Sequence, residues 1–346
     1  MEYNRPLQHM KKAILLVLSL IMSVTTFAQQ QLATLNHNDS ITVFYGVDAL
    51  NQAHSAAVNG DIITLSSGVF NSFTITKAVT IRGAGAWTDS LGNQTTIRNN
   101  CWLDVSQDSL YHLTIEGIYF LNDVYVGSTG LYNPQFLKCY FDQKFYCRST
   151  NEGLMQNAMF VNCYLDKWFA SYDNGTNGAK NTQFVNSVID ESWDYSCPDI
   201  FVNCMVTQDP QAQFILKRVF QNCVLCYDFS SSICPSQNSY TAFNCIFIQW
   251  NTGISCGNLF SGHPNHTLWN MRGWNTVFKT DGYYELNDSI AATCLGLDGT
   301  QVGIYGGAMP FNPRVTNPII KSINVATRST ADGKLPVNIE VVSDDE

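Results

Sequence analysis

Phe160-Val161-Asn162-Cys163-Tyr164-Leu165 is one line of a repeat. The same phrase stands at Phe136-Leu137-Lys138-Cys139-Tyr140-Phe141, Phe184-Val185-Asn186-Ser187-Val188-Ile189, Phe201-Val202-Asn203-Cys204-Met205-Val206 and Phe220-Gln221-Asn222-Cys223-Val224-Leu225. Its starts, from Phe136 to Phe220, are 24, 24, 17 and 19 residues apart. Ile115-Glu116-Gly117-Ile118-Tyr119-Phe120 is a looser early copy, and Ala242-Phe243-Asn244-Cys245-Ile246-Phe247 reads as a late copy one residue shorter. Such a period marks a solenoid, because a unit of about 20 residues cannot bury its own apolar face and must stack on its neighbours.

The spacing inside the phrase sets the geometry. Cys163 and Leu165 are two apart and share one face of a strand. Phe160 lies three before Cys163, so all three point inward only if the chain bends at Val161-Asn162. Asn suits that bend because it tolerates left-handed backbone and bonds neighbouring backbone with its side chain. Repeated coil after coil, the bend predicts ladders of Asn, Cys and Phe. An α-solenoid would need apolar residues at i, i+3, i+4 and i+7 over ten or more residues per unit, and these coils are too short and too rich in β-formers.

Residues 47–58 read as a short amphipathic helix with Val47, Leu50, His54, Ala57 and Val58 on one side. Gly60-Asp61-Ile62-Ile63-Thr64-Leu65, Gly68 and Val79-Thr80-Ile81-Arg82-Gly83-Ala84-Gly85 follow. This opening resembles that of pectin-lyase-like right-handed parallel β-helix proteins, over roughly residues 43–310. The resemblance implies an all-β, right-handed single-stranded parallel β-helix whose helix caps the open end. It is nearly silent on chemistry, since that fold hosts lyases, hydrolases, esterases and non-enzymatic adhesins. Residues 298–307 look like the exit coil of secreted bacterial β-helix proteins. Ile319–Ala326 and Leu335–Val342 read as a strand pair turning at Ala331-Asp332-Gly333-Lys334, placed to cover the last coil's edge. The expected organisation is a signal peptide at 1–28, a lead-in at 29–46, the β-helix at 47–310 and the strand pair with an acidic tail at 311–346.

Lys11 and Lys12 precede an apolar run from Ala13 to Met22, and small residues lead to Ala28. That is the pattern of a secretory signal peptide, and the run is shorter than the ~20 residues that span a bilayer. The expectation is a secreted, periplasmic or outer-surface protein, acting as a monomer, with no membrane span in the mature chain. Only 14% of residues are charged, and the full chain carries 19 basic and 28 acidic residues. Losing Arg5, Lys11, Lys12 and Glu2 with the first 28 residues leaves 16 basic and 27 acidic, a net charge near −11. Nucleic acid would be repelled, and an acidic polysaccharide would need a local basic patch.

Of the twelve cysteines, Cys139, Cys163, Cys204, Cys223 and Cys245 share one repeat position and are expected to be packed inward as thiols. Cys101, Cys147, Cys197, Cys226, Cys234, Cys256 and Cys294 lie off that ladder. Cys223-x-x-Cys226 has no second pair at zinc-site spacing, and Pro264 argues against a helical metal pair at His263 and His266.

Asp142, Asp166 and Asp190 each fall six residues past their Phe, so three carboxylates should stack on consecutive coils. Adjacent strands lie about 4.8 Å apart, and two carboxylates at that spacing repel by about 1 kcal/mol in water and several times more where the effective dielectric falls to about 20. Lys144, Lys167, a divalent cation or a shared proton would offset this; no other cofactor is expected. Lys144, Tyr146 and Arg148 follow on one coil, Trp168, Tyr172 and Asp173 on the next, and Glu191, Trp193, Asp194 and Tyr195 on the third. Carboxylates beside aromatic rings suit a sugar-binding groove, with a polysaccharide or cell-surface glycan as partner. The alternative is that the tryptophans pack beneath a loop and the acids form a solvated face. None of the polygalacturonase, pectate lyase or pectin esterase signatures is found. A lyase or hydrolase on this face would draw on Lys144, Arg148, Asp166 and Asp190, and a structural adhesin would need no site.

Overall fold

A computed structural model describes residues 31–88, 93–106, 108, 110–147, 154–173, 177–195, 199–208, 218–227, 240–249, 267–280, 283–314, 319–325, 328, 333–334 and 337–342. The signal-like segment, Arg148, Cys197, Cys234, Cys256, His263 and His266 lie outside these residues.

The repeat phrase builds two long sheets wound as a parallel β-solenoid. One runs through Ile62–Leu65, Thr80–Arg82, Thr114–Glu116, Gln135–Leu137, Met159–Val161, Gln183–Val185, Ile200–Val202, Arg218–Gln221 and Tyr240–Phe243, every neighbour parallel. The other runs through Gly68–Asn71, Thr95–Arg98, Tyr119–Phe120, Tyr140–Cys147, Tyr164–Asp173, Val188–Tyr195, Met205–Gln208, Val224–Tyr227, Cys245–Gln249 and Leu268–Arg272. The chain passes from the first sheet to the second at the bend the phrase demands. Asn162, Asn186, Asn203, Asn222 and Asn244 all sit there in left-handed backbone, with φ between 46° and 55°. Lys138 and Gly117 take the same conformation in the earlier copies.

Phe136, Phe160, Phe184, Phe201 and Phe220 form the inward ladder, with successive rings stacked at 4.7, 5.0, 4.8 and 4.8 Å. All five are fully buried, each contributing about 1.5–3 kcal/mol. The late copy is not shortened. Ala242 pairs in register with Phe220, and Phe243 with Gln221, so Ala242 holds the ladder position and Phe243 turns outward.

The five ladder thiols are free and buried, as are Cys101, Cys226 and Cys294. Each ladder thiol bridges backbone groups at the bend. The Cys163 thiol accepts from the Cys139 N–H at 3.5 Å and donates to the Phe136 and Val161 carbonyls. Ser187 fills the same position, its hydroxyl accepting from the Cys163 N–H at 3.0 Å.

At the start, Leu32–His37 and Ser40–Tyr45 form an antiparallel hairpin laid against Ile62–Leu65. The helix Ala49–Ala56 buries Ala49, Leu50, Ala53 and His54. The Lys77 ammonium donates to the carbonyls of His54, Ser55 and Ala57 at 2.7–2.8 Å, satisfying the open end of that helix.

Residues 298–307 are not an exit coil. Residues 274–280 and 283–314 leave the last coil and return as a strap along the outside of the solenoid. Val277, Phe278, Leu286, Val302, Ile304 and Phe311 bury an apolar face made of Val188, Met205, Val224 and Ile246. The strap follows the Asn bends: Gly303 N–H donates to the Asn222 carbonyl, Asn186 donates to the carbonyls of Ile304 and Gly306, Asn162 accepts from Asn312 N–H, and Lys138 donates to the Arg314 carbonyl. Ile319–Val325 and Val337–Val342 pair antiparallel as a separate two-stranded sheet and add to neither solenoid sheet.

Candidate functional site

The expected site residues fall at the corner that follows the second strand of the phrase. Tyr140 pairs with Tyr164, and Phe141 with Leu165. Leu165 pairs with Ile189. Asp142, Asp166 and Asp190 therefore take equivalent places on three successive coils, and all three are partly exposed.

Their charges meet neighbours of this chain. Asp166 forms an ion pair with Lys167 at 3.0 Å. Asp142 is hydrogen-bonded by Tyr119. Asp190 accepts from the Tyr164 hydroxyl at 3.3 Å and from the Thr207 hydroxyl. Among the described residues, no three His, Cys, Asp or Glu side chains converge as a metal group.

Two aromatic columns border the carboxylates. On one side stand Tyr119, Tyr140 and Tyr164, with ring centroids 5.1 and 4.4 Å apart. Burial, then the hydrogen bond and negative charge of Asp142, pushes the Tyr119 phenol up to about 12. Burial, then the charge of Asp190, also raises Tyr164, so both remain neutral donors at ordinary pH. The strap closes this side. Trp87 packs edge-on to Tyr140 and Phe311, and Phe311 stacks on Tyr283.

On the other side Trp102, Tyr125, Tyr146 and Phe169 are register partners on four coils. Their rings follow one another at 4.6, 5.5 and 5.1 Å. The Lys144 ammonium lies 5.7 Å from the Phe169 ring centroid. Asp123 ties this column to the corner, accepting from the Tyr125 hydroxyl at 2.8 Å and the Lys144 N–H at 3.1 Å.

Across one coil the outward order is therefore Tyr140, Asp142, Lys144, Tyr146, and on the next Tyr164, Asp166, Lys167, Phe169. The result is a polar band between two aromatic ridges.

Trp168 does not belong to it. The strand Tyr140–Cys147 carries one more residue than its neighbour between Phe141 and Lys144. Asp166 and Lys167 consequently both lie outside, and alternation restarts with Trp168 inside. Trp168 is fully buried, packed on Phe145, Phe160 and Phe184, and its indole N–H donates to the buried Asp199 at 3.1 Å.

Glu191, Trp193, Asp194 and Tyr195 pair in backbone register with Lys167, Phe169, Ala170 and Ser171. Trp193 therefore continues the register of the Trp102–Phe169 column. Tyr172 and Asp173 belong to a side excursion, pairing antiparallel with Gly178 and Asn177.

The sequence reading missed Trp102, Tyr125, Phe169 and the Tyr119–Tyr164 column. The tyrosines were visible as the fifth residue of each phrase. The other column emerges only once the corner of the Tyr164–Asp173 strand is read as one residue shorter than those of the two coils before it.

No protein-family model matches the chain and no curated protein matches it, so the functional reading rests on this geometry.

Proposed function

We propose that this protein is an exported polysaccharide-binding β-solenoid whose ligand lies along the corner band, across Asp142, Asp166, Lys144, Lys167, Tyr146 and Trp102. One observation carries the reading: partly exposed carboxylates and ammonium groups repeat coil after coil between aromatic ridges. A polymer lying along the solenoid axis meets a carboxylate on three successive coils and an ammonium group on two of them.

Rings that stack coil on coil cover one another's faces, so most of the ridge offers edges. Trp102, at the end of the column and 41% exposed, presents more ring surface. Hydroxyl recognition then falls to the carboxylates and ammonium groups. Asp166 already holds Lys167, and Lys144 lies over Phe169, so the band is not a basic patch. This favours a neutral polymer over a polyuronate for a chain of net charge −9. Export is supported by the signal-like run at residues 11–28. Among the described residues no helix is long and apolar enough to cross a membrane.

Hydrolysis is the second reading, favoured by carboxylates one coil apart, close to the ~5–5.5 Å spacing of retaining glycosidases. Affinity electrophoresis through gels cast with neutral or acidic polysaccharides separates the two. Binding predicts retardation by at least one neutral polymer, no new reducing ends, and retardation weakened several-fold in Asp166→Ala and Trp102→Ala. New reducing ends lost in Asp166→Asn would establish the hydrolase, and unsaturated products absorbing in the ultraviolet would establish a lyase. No retardation and no product would leave the structural adhesin.

A further inference from the structure

At the start of the solenoid both long sheets present an edge, and the chain covers them differently. On the second sheet, the Asn71 N–H of Gly68–Asn71 donates to the Val47 carbonyl at 2.9 Å, so the segment leading into the helix meets that strand. On the first sheet the terminal strand is Ser40–Tyr45, whose strand partner is Leu32–His37 on one side only. Ser40 stands opposite His37 across the two-residue turn Asn38-Asp39, both turn residues in left-handed backbone. The Gly46 N–H donates to the Gln31 carbonyl in the same ladder. By the alternation of an antiparallel pair, Ser40, Thr42 and Phe44 therefore direct their N–H and C=O groups towards Leu32–His37. Those of Ile41, Val43 and Tyr45 point to the open side.

This strand lacks the features that protect an exposed edge. It carries no Lys, no Pro, no charged side chain and no bulge. All its side chains are exposed except the half-buried Phe44, and Ile41, Val43 and Tyr45 are 68, 39 and 55% accessible. An open edge of this kind takes up another extended strand.

Charge and register both point to a second copy as the source of that strand. Two chains of net charge −9 repel over much of their surface, and residues 40–45 bring no charge to the contact. The edge is also complementary to itself. Laid antiparallel about a two-fold axis at Val43, two copies set Val43 opposite Val43, Ile41 opposite Tyr45 and Thr42 opposite Phe44. Ile41 with Tyr45 is a favourable cross-strand pair of a β-branched and an aromatic side chain. A slip of two residues would instead set Tyr45 opposite Asp39. In the Val43-centred register the open N–H and C=O groups of each copy meet those of the other, and the two-fold closes the contact without inviting a third copy.

We propose that Ser40–Tyr45 is a self-pairing edge that joins two copies of this chain end to end, so that the first sheet runs on from one solenoid into the other. This replaces the monomer expected from the sequence, and it does not depend on the corner band.

Sedimentation velocity of the full exported chain tests it, in free solution with no glycan and no polysaccharide matrix present. The wild type is expected to form a dimer whose fraction rises with protein concentration. Val43→Lys and Val43→Glu each set like charges opposite one another at the axis and should raise the dissociation constant at least about ten-fold. An equimolar mixture of the two variants should associate as well as the wild type, which also shows that both are folded. Hydrogen exchange on the wild type gives a second reading that needs no variant: the Ile41, Val43 and Tyr45 amides should slow as concentration rises, with Thr42 and Phe44 protected throughout. A monomer at every concentration overturns the proposal. So does a dimer that survives both substitutions, a mixture that stays monomeric, or a dimer that leaves exchange at Ile41, Val43 and Tyr45 unchanged.

Discussion

A cysteine at the fourth place of the phrase performs two tasks at once. It is small and apolar enough to be fully buried, and its sulfur accepts the N–H that the bend withdraws from the sheet ladder. Burial holds the Cys163, Cys223 and Cys245 thiols well above their ordinary range, which keeps them protonated and unreactive. The inward position was legible because Cys163 and Leu165 are two apart; the bridging role was not, because nothing in the spacing shows where a buried N–H lacks a partner. Ser187 makes the point experimentally accessible. Since Ser already serves at that position, Cys163→Ser should change stability by less than about 1 kcal/mol. Cys163→Val fits the volume but strands the Cys139 N–H, and should cost about 1–3 kcal/mol. Urea unfolding of the two variants measures the difference, and equal stabilities would mean that the thiol contributes only bulk. Trp168 shows the limit of counting at this scale. The corner of its coil is one residue shorter than those of the two coils before it, so Trp168 takes the inward place of Phe145 instead of a place on the surface.

At the scale of elements, the strap is the feature that the sequence showed least plainly. Its trace was there: the fifth residue of the phrase reads Tyr140, Tyr164, Val188, Met205, Val224, Ile246. An outward position on a solvated coil would not stay apolar for six coils. Two residues later the series Asp142, Asp166, Asp190, Thr207, Cys226, Ile248 turns from charged to apolar where the strap's cover is complete, with Cys226 and Ile248 buried beneath it. Cys223 and Cys226 therefore lie on opposite faces of the strand and cannot act as a pair. The strap's own sequence, full of Gly and Pro, carries no periodicity that would have announced a long return path.

The helix Ala49–Ala56 was legible from Leu50 and His54, but Val47 and Val58, read on the same stripe, lie beyond its ends and are exposed, while Ala49 and Ala53 complete the buried face; its anchoring by Lys77 was not legible. His54, buried in this helix beside Phe73, accepts from the Thr76 and Lys77 N–H groups at 3.2 and 3.3 Å. Burial, then the positive charge of Lys77, lowers its imidazole from 6.5 to about 4. The unfolded chain binds this proton first, so the contribution is complete above pH 6.5 and is lost as pH falls towards 4. Thermal melts between pH 7 and 4 should show an acid-side loss that is reduced in His54→Gln. An unchanged slope would place the acid sensitivity elsewhere.

At the scale of the whole molecule, periodicity did most of what sequence alone can do. A phrase recurring every 17–24 residues leaves a stacked parallel sheet as the economical fold, and the register of those coils determines which side chains form columns. Asp142, Asp166 and Asp190 aligned as the count required. Columns that depend on a bulge, such as Trp102, Tyr125, Tyr146 and Phe169, needed the three-dimensional register. The chemistry of binding depends on these columns more than on any single residue, since a polymer gains from each coil it crosses and a single contact adds little. The central claim is that a polysaccharide lies along the corner band, and hydroxyl-radical footprinting of the exported protein, with and without a polymer that retards it, tests this most directly. The account predicts protection of Trp102, Tyr125 and Tyr146 with little change at Tyr45 and Tyr111 on other faces; protection confined to those other faces, with Trp102 and Tyr146 oxidised as in the free protein, would contradict it.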